Sequence, residues 1–112
     1  MTMLFTHPSV TVSVEGATLV VVGDVDVTLA AGLAASGVKW LQATKHTSVI
    51  FDFNQVNKAS SVAISVLFEW LRACQMRGID AEAIYFSAPL RRLASMAELD
   101  DLIDHPTSAL MV

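Results

Sequence analysis

The sequence predicts a single α/β domain with a small mixed sheet. Two short strand-like runs come first, and two strand–helix–strand steps follow them, which favours parallel pairing through right-handed crossovers. The length of 112 residues is a usual size for one domain. We therefore expect the order β-β-α-β-α-β-α-α, with about four strands and about four helices. The domain covers residues 1–112, and the short tail after about residue 105 leans towards disorder.

A hairpin is predicted near the start of the chain. Val10–Val14 alternates between apolar and polar residues, and Thr18–Val22 is apolar almost throughout. The intervening Glu15-Gly16-Ala17 supplies turn residues, so the two runs are expected to pair in antiparallel fashion.

The first helix follows a break after the second strand. Gly23-Asp24-Val25-Asp26 ends the strand, and Thr28 is a plausible N-cap for a helix from about Leu29 to Leu41. Alanines dominate this helix. Gly32 and Gly37 should each weaken it by about 1 kcal/mol relative to alanine.

The second half of the chain repeats strand and helix signals. Ser48–Phe53 is a strand with a continuous apolar centre, and a helix is expected from about Ser61 to Arg77. Ala83–Phe86 is the next strand. Pro89 suits the first turn of a third helix, and Glu98–Ile103 forms a short last helix.

Composition excludes several classes of function. Hydrophobic residues make up 54% and charged residues 16%, which leaves apolar surface for a protein partner. The net charge of −4 argues against binding to nucleic acid. No apolar run approaches the ~20 residues of a membrane span, and the N-terminus lacks the basic region of a signal peptide. We expect a cytoplasmic protein without direct membrane insertion.

Chemically reactive side chains are few and scattered. His7, His46 and His105 do not have the spacing of metal ligands. Cys74 falls on the core stripe of the second helix, where it serves as a small hydrophobe rather than a thiolate. No glycine-rich phosphate loop or Gly-x-Ser-x-Gly sequence is present. We expect no catalytic residue, no metal and no cofactor.

The most informative segment is Val49–Gly78, where a strand leads through a polar loop to Ser60 and Ser61 at the start of a helix. Free N–H groups and the positive end of the helix dipole meet there, which suits an anion or a phosphoryl group. Three roles remain open for Ser60. It can cap the helix, which stabilises by about 1 kcal/mol, contact a partner, or act as a phosphorylation switch.

The apolar arc of this helix is wider than one buried stripe. Beyond the stripe, Val62, Val66 and Ala73 lie on one flank and Phe68 lies on the other. Two interpretations follow: neighbouring helices cover the flanks, or another protein contacts them. Asp24 and Asp26 form a close carboxylate pair at a strand end, for which solvated turn residues and a metal site are the alternatives.

Three features resemble the STAS domains (sulfate transporter and anti-sigma factor antagonist). Gly23-Asp24-Val25-Asp26 looks like the family's Gly-Glu-Leu-Asp turn. The run VIFDFNQVNKASSVAISVLFEWLRACQMRG looks like its signature, an apolar strand followed by Asp-Ser/Thr-x-Gly at the start of a helix. The run SAPLRRLASMAELDDLI is similar to its closing helices. Together these features cover nearly the whole chain.

The resemblance implies a regulatory position. Ser60 matches the phosphorylatable Ser/Thr of anti-sigma factor antagonists, Ala59 replaces the preceding Asp, and Val62 replaces the Gly. The runs LFEWLRACQMRG and SAPLRRLA look more like a second branch, the small STAS subunits of Mla-type bacterial lipid-transport ABC systems. In that branch the STAS subunit binds the cytoplasmic ATPase subunit and supports its assembly and activity.

We therefore expect a non-enzymatic interaction subunit that binds the ATPase of a phospholipid-transport ABC complex, at the inner face of the membrane through that partner. The alternative is an anti-sigma factor antagonist whose partner kinase phosphorylates Ser60. An enzyme or small-molecule binder is a third class, for which no convergent polar set is visible. The expected partner-binding residues are Asp24, Asp26, Lys58, Ala59, Ser60, Ser61, Val62 and Val66.

Overall fold

The computed structural model describes residues 1–106, which form five strands and four helices. The strands are β1 (Thr2–His7), β2 (Val10–Glu15), β3 (Thr18–Gly23), β4 (Ser48–Gln55) and β5 (Asp80–Phe86). The helices are α1 (Val27–Ala43), α2 (Ser61–Arg77), α3 (Ala88–Met96) and α4 (Asp100–Asp104). The predicted α/β class is confirmed. The tail expected after about residue 105 falls almost wholly outside the described residues.

The sheet is mixed and has the order β1-β2-β3-β4-β5. The strands β1, β2 and β3 pair in antiparallel fashion, whereas β3, β4 and β5 are parallel. The strand β1 was not predicted. It lies at the edge of the sheet and none of its side chains is fully buried, so its sequence carries little of the alternation that marks a half-buried strand.

Helices α1 and α2 pack on the same face of the sheet. Both parallel crossovers advance in the same direction along the sheet, and right-handed crossovers then place both helices on one side. The paired row Leu19, Phe51 and Ile84 faces them and is buried. The indole of Trp70 lies over this row, with ring centroids 5.7 Å from those of both Phe51 and Phe53. The centre of the core is therefore the contact between α2 and β4.

Helices α1 and α2 approach each other closely at Gly37. A Cβ atom at this position would overlap the indole of Trp70. The same indole N–H donates a hydrogen bond to the carbonyl of Ala34 at 3.0 Å. Gly37 was expected only to weaken its helix, but its missing side chain makes room for Trp70.

The start of α1 differs from the prediction. The N-cap is Asp26 rather than Thr28, and the helix begins at Val27. A carboxylate oxygen of Asp26 accepts hydrogen bonds from both the backbone N–H and the hydroxyl of Thr28, each at 2.8 Å. Asp is a slightly better cap than Thr. The bounds predicted for α2 are confirmed, and Gly78 ends it in the left-handed conformation with φ of 68°.

We predict that Gly37→Ala lowers the free energy of unfolding by about 1–3 kcal/mol, because the added methyl group collides with the indole of Trp70 and outweighs the gain in helix propensity. Urea denaturation measures the change. In Gly32→Ala the new Cβ meets only the ring edge of Phe5 at 3.3 Å, so the loss should be smaller. In a Trp70→Phe background, the penalty of Gly37→Ala should shrink. An unchanged penalty there would contradict the role assigned to the close approach.

Candidate protein-docking site at the start of α2

The carboxylate of Asp24 links two loops at the same end of the sheet. Its Oδ1 accepts hydrogen bonds from the backbone N–H groups of Asn57 at 3.0 Å and Lys58 at 2.9 Å. Asp24 follows β3, and the two donors lie in the loop between β4 and α2. Parallel neighbouring strands end at the same edge, which brings these loops together. The structure thus brings Asp24 and Lys58 together and fixes the segment that leads to Ser60.

Asp26 lies beside this link but belongs to α1. Its hydrogen bonds from the N–H and hydroxyl of Thr28 hold the pKa of Asp26 below its usual value of 3.8, and the positive charge of Lys58 adds a smaller effect. A depression of about 380 Å³ opens here, lined by Ser9, Asp24, Val25, Asp26 and Lys58. Within residues 1–106, no group of three or more His, Cys, Asp and Glu side chains could hold a metal ion. The two aspartates act as loop anchor and helix cap.

Ser60 caps α2. It has extended backbone angles, φ −131° and ψ 122°, and its hydroxyl oxygen accepts a hydrogen bond from the N–H of Val62 at 3.2 Å. The capping interpretation of Ser60 is confirmed. Partner contact and phosphorylation at this residue stay predictions. Ser60 is half-buried, whereas Lys58, Ala59 and Ser61 are exposed, so the loop before the helix offers an accessible surface.

The flank carrying Val66 is not a docking surface. Val66 is only 2% exposed, Ala73 is buried, and Val62 is half-buried against the core. Helix α1 covers this flank, as the hydrogen bond from Trp70 to Ala34 shows. The expectation of an exposed flank with Val66 is therefore wrong, because a neighbouring helix shields it.

Accessible apolar surface on α2 lies on the other side. Phe68 is 40% exposed and Met76 is 81% exposed. We call the exposed side of this helix the outer α2 face. It comprises Ser61, Ser65, Phe68, Glu69, Arg72 and Met76.

The outer α2 face continues into a groove of about 220 Å³ between α1 and α2, lined among others by Val38, Ala73 and Met76. The sequence analysis did not single out Met76, although two large apolar side chains, Phe68 and Met76, on an otherwise polar helix face are a signal that could have been used.

Two further features concern the single cysteine and the helices. Cys74 is fully buried, and burial raises the pKa of its thiol to about 12. A thiolate at neutral pH is therefore excluded at this position. Over residues 1–106, no helix combines the length and the apolar content needed to cross a membrane.

Comparison with known proteins identifies the family of this chain. The family model of the STAS domain matches residues 7–110. The chain belongs to the STAS domain family. A similar solved structure is that of the anti-sigma factor antagonist SpoIIAA in its unphosphorylated form, with a TM-score of 0.64 and 14% sequence identity over 81% of this chain and 82% of that one. A comparison with curated proteins finds no match. At this identity, the structural similarity concerns the fold of the STAS domain.

We predict that Asp24→Ala raises the hydrogen-exchange rates of the Asn57 and Lys58 amides severalfold, because both lose a charged acceptor. Amide exchange followed by NMR measures this. Asp26→Ala is the matched control, since it frees the Thr28 amide and leaves the loop before α2 unchanged. Equal exchange of the two loop amides in wild type and Asp24→Ala would contradict the anchoring role.

A second prediction concerns pH. The folded-state pKa of Asp26 is lowered, so its contribution to stability is present above the unfolded pKa and is lost as pH falls through the lower folded value. Asp26→Asn keeps a capping oxygen but does not titrate. The difference in unfolding free energy between wild type and Asp26→Asn should be constant above about pH 5 and change in favour of the variant between about pH 4 and 2. Denaturant titrations across this range measure it, and a difference independent of pH would refute it.

Proposed function

We propose that this STAS domain is a non-enzymatic interaction subunit that docks on the cytoplasmic ATPase subunit of a bacterial phospholipid-transport ABC complex. The docking surface consists of the loop Lys58–Ser61 and the outer α2 face. The observation that carries the proposal is the exposure of Phe68 and Met76 on a helix whose start is held in place by Asp24 and Ser60.

The surface has the composition of a protein interface. Phe68 and Met76 are eight positions apart, which is about 12 Å along a helix. Polar side chains surround them, as in the polar rim around the apolar centre of an interface. Because the loop is hydrogen-bonded to Asp24 and the helix is capped, a partner would meet a surface that is already ordered. Preorganisation of this kind favours affinity by reducing the entropy lost on binding.

The resemblance to the small subunits of Mla-type systems supports an ATPase as the partner. It rests on the runs LFEWLRACQMRG and SAPLRRLA and on Ala59 and Val62, which replace the Asp and Gly of the regulatory signature. Rigid docking would favour the assembled state of the ATPase, as any ligand that prefers one state must. The protein would lie in the cytoplasm, at the inner face of the membrane through this partner.

A second candidate is an anti-sigma factor antagonist with a kinase as its partner. The likeness to unphosphorylated SpoIIAA and the position of Ser60 favour it. Phosphorylation would bring about −1.5 to −2 charges to the helix start, which the helix dipole and Lys58 can stabilise. The hydroxyl of Ser60 would then cease to act as the simple cap that it forms with Val62.

We predict that Phe68→Ser weakens binding to the ATPase subunit at least about fivefold, because truncating a central aromatic residue of an interface costs more than about 1 kcal/mol. Isothermal titration of the purified pair measures the Kd. Met96→Ser on α3 is the control, since Met96 is more exposed than Phe68 but lies outside the docking surface.

Ser60→Glu should also weaken the complex, because it places a charge at the rim of the apolar contact. Thr47→Glu adds the same charge at the opposite end of β4 and should leave binding intact. An unaltered Kd for both Phe68→Ser and Ser60→Glu would refute the docking surface.

Incubation with a candidate anti-sigma factor kinase and ATP tests the second function. Addition of one phosphate in wild type but not in Ser60→Ala, measured as intact mass, would favour the antagonist.

A further inference from the structure

The sheet has a second face that no helix of residues 1–106 covers. The register places Met3, Ser13, Val20, Asp52 and Tyr85 opposite one another in a row across all five strands. This row alternates with the buried row that faces α1 and α2. We call the uncovered side, with this row at its centre, the open sheet face.

The shape of the molecule agrees with two layers. Its principal extents are 32, 32 and 20 Å, and the shortest equals one sheet and one layer of helices at about 10 Å each. Parallel strands such as β3, β4 and β5 normally carry helices on both faces. Here the second layer of helices is missing from the described chain.

Apolar side chains are accessible on the open sheet face. Tyr85 is 49% exposed and Met3 is 48% exposed at the two ends of the row. In the next row, Ile50 and Ala83 are paired and half-buried. Val20, which lies between them and Met3, is only 8% exposed, and its neighbour Ser13 is only 5% exposed. The accessible apolar strip therefore runs over Ile50, Ala83 and Tyr85 on β4 and β5.

Every charged side chain that projects from the strands on this face is acidic. Asp52 lies in the central row, and Glu82 lies beside it on β5, where it accepts a hydrogen bond from the Ser48 hydroxyl at 3.2 Å. Glu15 ends β2. The guanidinium of Arg91 lies at the β5 edge of the sheet and is already paired with Asp100 and Asp104 at 3.1 and 2.8 Å. A complementary partner must therefore be basic.

A cavity adjoins the exposed end of the strip. It has a volume of about 330 Å³, and its lining includes Glu82, Tyr85 and Phe86 together with the ion pair of Arg91 and Asp104. The rings of Tyr85 and Phe86 and the carboxylate of Glu82 suit a lysine or arginine side chain, whose stem is apolar and whose head is charged.

We propose that the open sheet face binds a basic amphipathic helix of a partner protein. The apolar side of that helix packs on Ile50, Ala83 and Tyr85, and its lysine or arginine side chains meet Asp52 and Glu82. Crossing five strands about 4.8 Å apart takes about 19 Å, or roughly 13 helical residues. The helix supplies the missing layer. This surface lies opposite the outer α2 face, so the proposal stands or falls independently of the ATPase interaction.

A synthetic 14-residue amphipathic helix with leucines on one face and flanking lysines tests this proposal. We expect saturable binding by isothermal titration, weaker at high salt, and amide shifts in β3, β4 and β5 rather than in α2. Tyr85→Ser should raise the Kd at least about fivefold, and the pair Asp52→Asn with Glu82→Gln should do the same. Phe68→Ser is the matched control on the helical layer and should leave the Kd unchanged. A probe with glutamates in place of the lysines should not bind.

Three outcomes would overturn the proposal. The first is the absence of saturable binding by the lysine probe. The second is binding that responds to Phe68→Ser but not to Tyr85→Ser. The third is concentration-dependent dimerisation in analytical ultracentrifugation that Tyr85→Lys abolishes, which would assign the face to a second copy of this chain.

Discussion

The contact between Gly37 and Trp70 determines how the rest of the molecule is arranged. Because Gly37 has no side chain, α1 approaches α2 closely enough for the indole N–H to bond to the carbonyl of Ala34. The indole then presses against Phe51 and Phe53 and fixes the helix layer on the sheet. The same approach decides which flank of α2 is covered and which is left free. The missing side chain of Gly37 therefore permits both the packing of Trp70 in the core and the coverage of one flank of α2 by α1.

A second constraint acts at the edge of the sheet. A helix start can be ordered by its own cap, but a loop before it needs other partners. Asp24 supplies them by bonding two consecutive amides of the loop between β4 and α2. The loop that carries the family signature is thus hydrogen-bonded to Asp24 in the neighbouring turn, and these bonds help to position Ser60. These hydrogen bonds give Asp24 a structural role that requires neither a metal ion nor a catalytic function.

Local patterns predicted much of this fold, and long-range packing accounts for what they missed. The bounds of α2 and the cap at Ser60 were predicted correctly because helix ends depend on a few neighbouring residues. The strand β1 was missed because one neighbour and weak burial leave an edge strand little sequence signal. Val66 was misassigned because its burial depends on α1, and the periodicity of α2 cannot show which flank another helix will cover. The role of Gly37 was hidden for the same reason, since helix propensity describes an isolated helix.

The two-layer architecture separates two chemically different surfaces. On the helical layer, Phe68 and Met76 are exposed among polar and charged side chains. The charges have both signs, as in the ion pair of Arg72 with Glu69 at 3.7 Å. On the open sheet face, the charges are acidic and the accessible apolar strip lies on β4 and β5. The close-packed stack of Trp70 on β4 lies between these surfaces, and packed cores resist continuous deformation. Occupation of one surface should therefore leave the other unchanged, so that the two proposed interactions need not exclude each other.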